Sequence, residues 1–552
     1  MPLSPKATFI LRGIKMNEKF VCYDDFGAVG DGVTNDFFAM KRAHEYANER
    51  GLPVRAGAQK TYLVTETEID GVASPIAVKT DTDFCGSTVV IDDTDVVWCP
   101  GANKRHNTNI FSIESRYPKI DVEKKYIDKI NAAGGIKIGE TKRLELGLGY
   151  PAMLVVFNED EKVYVRYGNN ADSGAPKCEL TLVDKDGNID ETTPWLFDYE
   201  KVTRIEAYRC DEPQLTFENL FVLTKASQVN LVDEYRSIRR GIGVMRSNTV
   251  VRNVEHKVIN EIYKGALQNG VSFVGHSYGF LTVGKATNVL VEDVVFQARA
   301  YYLQGTYDFS AHLANNLLLK NCSQRNFFSH HLPEFPLFPS FSRWWGVAGT
   351  NYCKNMVYDG CKLTRYDAHK GVVNGAIKNS EISSIRLIGG GDMLIENCKI
   401  YHVGHTSLQL REDYGSTFRG TLTVKDSEFI DTSESFDSFM IMQSANHNYG
   451  YKTYFPNVII DNVKMPENVK ELPLLWEFPM KETEAGYFYR SVRDESLAVP
   501  GAVCADGKPN VNPYTPPAFI KVINNEKWDY EITVPDVPFF KDTELLGVKK
   551  VK

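Results

Sequence analysis

The chain has 552 residues and a net charge of −8, with hydrophobic and charged contents of 43% and 24% that are ordinary for a globular protein. The acidic balance excludes a general nucleic-acid binder, which needs a basic surface, and without a run of about 20 apolar residues no membrane-spanning helix is predicted. The early apolar run ATFIL is too short for a signal-peptide core, so we expect a cytoplasmic location, or secretion if a leader has been removed. Ten cysteines without a CxxC pair indicate neither a zinc site nor a disulfide framework.

The first recognisable motif is DDFGAVGDGVTND at residues 24–36, followed by the helix-like segment FFAMKRAHEYANERG. Its glycines permit tight turns, and Thr34 or Asn35 can cap the helix. Ala43 and Ala47 can face inward, so the helix is predicted to close the open end of a solenoid and protect its edge. The acidic cluster of this motif is interpreted as structural rather than catalytic.

This opening, with the following LPVRAGAQKTYLV, resembles that of the pectate-lyase-like superfamily, whose members begin with DFGAxGDGxTDDTxAIQxA and continue with GxxVxxPxGTY. The chain departs from the pattern at Arg55-Ala56-Gly57, where the family usually has a proline-containing turn. Together with the repeats below, the resemblance extends over residues 20–465. It implies an all-β fold, a right-handed parallel β-helix with an N-terminal capping helix, and an active groove along the middle coils.

The chain is predicted to have four parts. Residues 20–118 form the cap and the first coils, and residues 119–212, which read as alternating strands joined by turns, form a small antiparallel β insertion. Residues 213–468 form the main helix with the groove. Residues 469–552 are rich in Pro, Gly and Asn and are expected to pack on the helix as an irregular segment.

A nine-residue phrase sets this architecture, since it starts with a polar turn residue and continues with the alternating apolar residues of a half-buried strand. Its copies are QLTFENLFV from Gln214, NTVVRNVEH from Asn248, NVLVEDVVF from Asn288, NLLLKNCSQ from Asn316, NMVYDGCKL from Asn355, DMLIENCKI from Asp392, TLTVKDSEF from Thr421 and NVIIDNVKM from Asn457. The irregular spacing of roughly 28 to 40 residues fits a solenoid with variable loops.

Stacked coils align equivalent positions of the phrase into columns. The sixth position holds Asn253, Asp293, Asn321, Asn397, Asp426 and Asn462, which tolerate a left-handed backbone and predict a turn ladder. The seventh position holds Cys322, Cys361 and Cys398 among small apolar residues. We interpret these cysteines as packed hydrophobes rather than as metal ligands.

Four polar, aromatic-rich segments of the middle coils, at residues 305–312, 342–355, 363–374 and 408–420, are not needed to build a coil. Glycoside hydrolysis requires two carboxylates, and the candidates are Asp308, Asp367 and Asp413, with Glu412 in reserve. Each aspartate taken alone also suits a turn or a solvated surface.

A second mechanism uses the histidines. His330 and His369 fall at equivalent positions of adjacent coils, with His405 one position earlier in the next. A polysaccharide lyase needs a base to remove the C5 proton of a uronic acid, and a cation to neutralise its carboxylate.

His369 or Tyr366 would serve as that base, and Arg365 or Arg411 as the cation; Arg386 lies in the same coils. The predicted substrate-binding set is Tyr307, His330, Trp344, Trp345, Arg365, Tyr366, Arg411 and Glu412. Trp344 and Trp345 suit sugar stacking and core packing equally.

The sequence thus predicts a glycosidic-bond-cleaving enzyme acting on a poly- or oligosaccharide, with a hydrolase or transglycosidase slightly preferred to a lyase. The middle coils contain neither the Asp-Asp pair nor the Gly-His-Gly motif of polygalacturonases, so no residue role is transferred from them. A non-catalytic tailspike-like glycan-binding protein is the alternative from another class, and an epimerase is a third reaction. No cofactor is expected, except calcium if the reaction is an elimination; a homo-oligomer stays open.

Overall fold

The computed structural model describes residues 19–69, 72–96, 108–163, 175–226, 240–260, 279–297, 307–325, 347–402, 408–410, 417–431, 436–442, 453–475, 480–484, 486–489 and 514–552. Within them the chain winds as a right-handed parallel β-helix. Its 25 hydrogen-bonded strands are Val21–Cys22, Asp31–Asn35, Val54–Arg55, Thr61–Val64, Ile76–Val78, Thr82–Asp92, Phe111–Glu114, Leu215–Lys225, Ile242–Met245, Thr249–Ile259, Leu281–Phe296, Phe309–Lys320, Ser323–Gln324, Val347–Asp359, Lys362–Lys378, Glu381–Leu387, Gly389–Glu396, Lys399–Tyr401, Leu408–Leu410, Phe418–Lys425, Glu428–Ile430, Met440–Met442, Asn457–Asp461, Phe519–Ile523 and Glu544–Leu546.

One strand, Leu281–Phe296, shows how a coil is built. Residues 281–284 pair with their neighbours in one sheet, residues 289–292 in a second, and residues 295–296 in a third. We call the sheet that contains the repeated phrase sheet I, the next one along the chain sheet II, and the remaining one sheet III. All pairings between coils are parallel, and the core lies between the three sheets.

The corner between sheets I and II is the predicted turn ladder. Its asparagines and aspartates adopt left-handed φ angles between +48° and +62°: Asn219, Asn253, Asp293, Asn321, Asn379, Asn397, Asp426, Asn462 and Asn524. Side-chain amides bond along the stack, for example from Asn253 Nδ2 to Asn219 Oδ1 at 2.7 Å. The prediction for this column is confirmed, and it explains why Asn and Asp recur there.

The cysteine column is also packed as predicted. Cys322, Cys361 and Cys398 are buried, and the Sγ of Cys361 donates to the carbonyl oxygen of Leu319 at 3.3 Å. Burial raises the pKa of the Cys398 thiol to about 11. These thiols therefore behave as small hydrophobic groups of the interior.

On the outer face of sheet I, the residues at the fifth position of the phrase alternate between positive and negative charge from coil to coil. Arg252 lies 2.6 Å from Glu218, and Lys320 lies 2.8 Å from Glu292. Opposite charges on directly paired strands favour this register, although each exposed pair adds little stability.

One copy of the phrase was not predicted from the sequence. It begins at Asn374, between the copies at Asn355 and Asp392, and its sixth residue, Asn379, is left-handed. The strand Lys362–Lys378 runs through all three sheets without a loop. Such a short coil brings the phrase back sooner than the assumed spacing allowed.

The N-terminal helix Phe37–Arg50 caps the first coil as predicted, burying Ala43 and Ala47. The carboxylate of Asp36 accepts hydrogen bonds from the backbone of Val29 at 2.7 Å and of Leu63 at 3.3 Å. The acidic motif thus ties the cap to the first coil. A short 3₁₀ helix, Asp24–Phe26, precedes it.

Within the predicted insertion, the strands Ile120–Asp121, Arg204–Arg209, Ala152–Val163 and Ala175–Val183 form an antiparallel sheet in that order, accompanied by the helix Lys124–Ala132. A buried ion pair, 2.9 Å between Lys354 Nζ and Glu179, joins this sheet to the β-helix. The domain boundaries at residues 118, 212 and 468 stay predictions.

The C-terminal part is more regular than the sequence indicated. Phe519–Ile523 pairs with Asn457–Asp461 and adds to sheet I. A further parallel sheet is formed by the strands Glu471–Pro473, Glu531–Pro535 and Val548–Val551, and a 3₁₀ helix spans Pro538–Phe540. An antiparallel pair is formed by Met480–Thr483 and Gly486–Tyr489. A second antiparallel pair, Glu68–Ile69 with Val72–Ala73, belongs to the N-terminal coils. The phrase FIKVINNEK was missed because it starts with an apolar residue, although Asn524 keeps its sixth position.

Candidate functional site

The outer face of sheet III carries several polar residues in the middle coils. Along Glu381–Leu387, Ile385 and Leu387 are buried in the core while Arg386 alternates with them and points outward. The strand register places Asp367, Arg386 and Gln409 side by side in one outward row. In the preceding coils this row contains only small residues, which are Ser112, Gly243, Thr282, Ser310 and Gly349.

Arg365 and Asp367 form an ion pair on this face. Nη2 of Arg365 lies 3.1 Å from Oδ2 of Asp367, and the two side chains are 2% and 0% exposed. Both alternate with Tyr366, whose ring faces the core, and so both point outward yet are covered. The stabilities that the two side chains contribute depend on each other, because removing one partner leaves the other charge buried without a counter-charge.

His369 occupies a β-bulge. Thr350 pairs with Ala368 while the next residue, Asn351, pairs with Lys370, so His369 is the extra residue of its strand. Such bulges redirect a side chain. Nδ1 of His369 lies 3.2 Å from the hydroxyl of Tyr307, which reaches it across the intervening strand Val347–Asp359. Both side chains are partly exposed, so the pair is placed to exchange a proton with a ligand.

The structure places Asp308 on the inner side of the solenoid wall. Gln324 aligns with the inward-facing Phe296, and its Nε2 donates to the buried carboxylate of Asp308. Gln324 Oε1 accepts in turn from the hydroxyl of Thr364 at 2.7 Å, and Ser383 donates to the Thr364 carbonyl at 2.6 Å. Asp308 therefore belongs to a polar ladder inside the solenoid, on the opposite side of the backbone from the outer row.

Tyr366 likewise faces the interior. Its ring packs edge-to-face on Tyr358 with centroids 5.3 Å apart in the core, and burial raises the pKa of its hydroxyl well above the ordinary value. Sequence proximity to Asp367 suggested a site residue, but alternation along the strand sends neighbouring side chains to opposite faces. Tyr366 cannot meet a substrate on the outer face.

The remaining predicted site residues lie outside the described part of the chain. They are His330, Trp344, Trp345, Arg411, Glu412 and Asp413, together with His405. Their roles as catalytic carboxylate, cation, sugar platform or histidine column stay predictions.

His312 and Lys370, which the sequence analysis did not single out, lie beside the bulge. His312 pairs in register with Asn351, and Asn351 with Lys370, which forms a second outward row next to the first. His312 is exposed and its ring meets the edge of Tyr352 with centroids 6.0 Å apart. Counting in twos from Ser310 to His312 would have placed this histidine on the outer face.

The insertion approaches the same region. Burial raises the pKa of the Cys178 thiol in strand Ala175–Val183 to about 12, while the positive charge of Lys370 acts to lower it. The strand Ala175–Val183 also contacts the strands Phe309–Lys320 and Val347–Asp359, the second of which pairs with the strand of Lys370. The outer face of sheet III at His369 thus lies next to the inserted sheet.

Among the described residues there is no group of three or more His, Cys, Asp or Glu side chains placed to hold a metal ion. Calcium stays a prediction that depends on an elimination mechanism. In the same residues, no helix has both the length and the apolar composition needed to span a bilayer.

Fold and site together define a right-handed parallel β-helix with a polar, partly covered outer face on sheet III. No family model matches the sequence, and no curated protein matches it.

Solved structures similar to this chain include the Gp54 tailspike of Acinetobacter baumannii bacteriophage AP22 in complex with capsular saccharide, with 10% identity over 95% of this chain and 79% of that one and a TM-score of 0.45. A mutant tailspike protein of E. coli bacteriophage HK620 in complex with pentasaccharide has 8% identity, 96% and 78% coverage, and a TM-score of 0.45. The A-module of the Azotobacter vinelandii mannuronan C-5 epimerase AlgE4 has 9% identity, 80% and 95% coverage, and a TM-score of 0.31. The fold of this chain follows from its own strand register, and none of these neighbours defines its activity.

Proposed function

We propose that the protein binds a glycan containing uronic acid on the outer face of sheet III and cleaves it by β-elimination. The observation that carries the proposal is the hydrogen bond of 3.2 Å between Tyr307 and the bulge residue His369, on a partly exposed face. Lys370 follows His369 directly, and Arg386 lies in the adjoining outward row. A base and cations are therefore grouped on one face.

The reaction uses these groups in a definite order. A cation neutralises the carboxylate of the uronic acid, which makes the proton on C5 more acidic. The His369–Tyr307 pair accepts that proton, the bond between C4 and the bridging oxygen breaks, and a C4=C5 double bond forms. The departing oxygen takes up a proton, so one acid–base pair serves both transfers.

Hydrolysis, which the sequence analysis slightly favoured, is less well supported than elimination. It needs two carboxylates flanking the scissile bond. Asp308 faces the interior, and Asp367 is covered and paired with Arg365. Asp413 lies outside the described residues. Of the three predicted aspartates, only Asp367 is therefore seen on the outer face of sheet III.

The test incubates the full chain with polygalacturonate, alginate and hyaluronan, and with neutral glycans as a comparison. Ultraviolet absorbance of the conjugated double bond and new reducing ends are followed together. Elimination produces both signals. Reducing ends without absorbance would show hydrolysis instead, and deuterium uptake at C5 without new ends would show epimerisation.

Variants then assign the acid–base pair. Tyr307→Phe and His369→Gln are each expected to lower turnover by a factor of about 10² or more, as for loss of a general acid or base. Tyr401→Phe is the matched control, because the Tyr401 hydroxyl bonds Glu381 at 2.8 Å on sheet II. Glycan binding without turnover by the unmodified protein would contradict the enzyme and favour a binding protein.

A further inference from the structure

A groove runs along the corner between sheets I and II in the C-terminal coils, away from the residues discussed above. It has a volume of about 440 Å³ and is lined by the ladder residues Asn379, Asn397, Asp426 and Asn462, and by Trp528. We call it the ladder groove. Because the ladder advances by one strand spacing of roughly 4.8 Å per coil, the groove follows the axis of the solenoid.

The hydrogen-bonded ladder is interrupted within this groove. Asn397 Nδ2 donates to Asn379 Oδ1 at 2.8 Å, and Asn462 Nδ2 donates to Asp426 Oδ1 at 2.5 Å. Between them stands Asp426, whose ionised carboxylate has no N–H to give to Asn397. The described residues therefore make no side-chain hydrogen bond between Asn397 and Asp426, and the nearest cation to the carboxylate is Lys425 Nζ, 3.7 Å from Oδ2. A ligand that donates hydrogen bonds can complete this step of the ladder.

Two further polar atoms lining the groove are shielded and lack a hydrogen-bond partner among the described residues. They are the indole Nε1 of Trp528 and the amide Oδ1 of Asn462. Buried polar atoms are seldom left without a partner. The wall of the groove thus holds an unsatisfied donor and an unsatisfied acceptor just behind its surface, next to the interrupted step.

The charges that line the groove balance. Three carboxylates, of Glu381, Asp426 and Glu428, are matched by three ammonium groups, of Lys399, Lys464 and Lys527. Lys464 and Glu428 are paired at 2.6 Å. The balance favours a neutral ligand with many hydroxyl groups over a strongly anionic one, and the indole of Trp528 provides an apolar surface for one face of a ring.

We infer that the ladder groove is a binding site for a neutral oligosaccharide. Its hydroxyl groups donate to Asn397 Oδ1 and to the Asp426 carboxylate, and one sugar ring packs against Trp528. The site is separate from the His369 region and shares with the proposed function only the class of ligand. It holds a glycan without cleaving it.

The decisive variant is Asp426→Asn. An asparagine keeps the left-handed backbone and can donate to Asn397, so it closes the interrupted ladder and removes the acceptor that the sugar uses. We expect folding stability to be unchanged or increased while affinity falls by about tenfold or more, as for loss of a charge-assisted hydrogen bond. The matched control is Asp293→Asn, a ladder position outside the groove, which should leave affinity unchanged.

Calorimetric titrations of the full chain use cellohexaose, maltohexaose and chitohexaose, with hexagalacturonate for comparison. Binding of at least one neutral hexasaccharide, weakened by Asp426→Asn and by Trp528→Ala but not by His369→Gln, supports the site. Failure of all three neutral probes to bind, or binding that Asp426→Asn leaves unchanged, overturns it. Weakening by His369→Gln alone would place the ligand at sheet III and would leave the proposed function standing while this inference fails.

Discussion

Nη2 of Arg365 lies 3.1 Å from Oδ2 of Asp367, and both side chains are covered although they point away from the core of the solenoid. From sequence, Asp367 was one of the candidates for the pair of catalytic carboxylates. The structure makes it one half of a buried ion pair. Its first role is therefore to keep Arg365 electrostatically satisfied at the edge of the candidate site.

We accordingly expect Asp367→Asn and Arg365→Met each to lower the free energy of unfolding by about 3–5 kcal/mol, because each leaves one buried charge without its partner. The double variant Arg365→Met/Asp367→Leu should cost less than the sum of the two. Urea denaturation followed by circular dichroism measures all three. Normal stability of Asp367→Asn together with lost turnover would restore the catalytic interpretation.

Asp308 provides the complementary test. Because its carboxylate joins Gln324 and the ladder inside the coil, Asp308→Asn is expected to leave turnover unchanged within error. Stability should fall by about 1–3 kcal/mol if the new amide cannot satisfy Gln324. Rate assays and denaturation on the same preparation separate the two effects, and a selective loss of rate would return Asp308 to the catalytic set.

The ion pair of Lys354 and Glu179 anchors the insertion. Burial lowers the pKa of Lys354 while the carboxylate of Glu179 opposes that shift, and the carboxylate also accepts from the backbone of Leu196 at 2.8 Å. Lys354→Met should therefore destabilise by about 3–5 kcal/mol and expose the insertion to protease. Lys320→Met, which removes an exposed pair with Glu292, should cost only about 0–1 kcal/mol. Equal proteolysis of the two variants would show that the pair does not hold the insertion.

Stability should also fall as the pH rises above 9. Burial raises the pKa of Cys178 and Cys353 to about 12 and that of Cys398 to about 11, from an ordinary value of 9.0. Above pH 9 the unfolded chain releases these protons and the folded chain retains them. The contribution is thus fully present below pH 9 and is lost as the pH rises towards 11–12.

Urea midpoints measured at a series of pH values from neutral to alkaline test this slope. Cys398→Ser should flatten it, because a serine hydroxyl does not titrate there and Ser427 already fills the same column, donating to the Lys425 carbonyl at 2.7 Å. A midpoint that stays constant across the range would contradict the assignment of these thiols to the interior.

The sequence by itself determined the solenoid, its cap and its columns. Alternation within the phrase assigns each side chain of sheet I to the core or to solvent, and Asn or Asp at the sixth position marks the left-handed corner. These are local properties of a few consecutive residues. Parallel stacking then repeats them coil after coil, so that Asn253 and Asn397 could be assigned without coordinates.

Only the tertiary structure decided the composition of the candidate site. One extra residue reverses which side chains of a strand face the core and which face outward. The bulge at His369 adds such a residue, and the coil Lys362–Lys378 has no loop to separate its three sheets. Asp308 joins the ladder inside the solenoid through Gln324. Tyr366 packs on Tyr358 in the core, and His369 meets Tyr307 from two strands away. Long-range pairing fixes these directions, and no local pattern of residues encodes it.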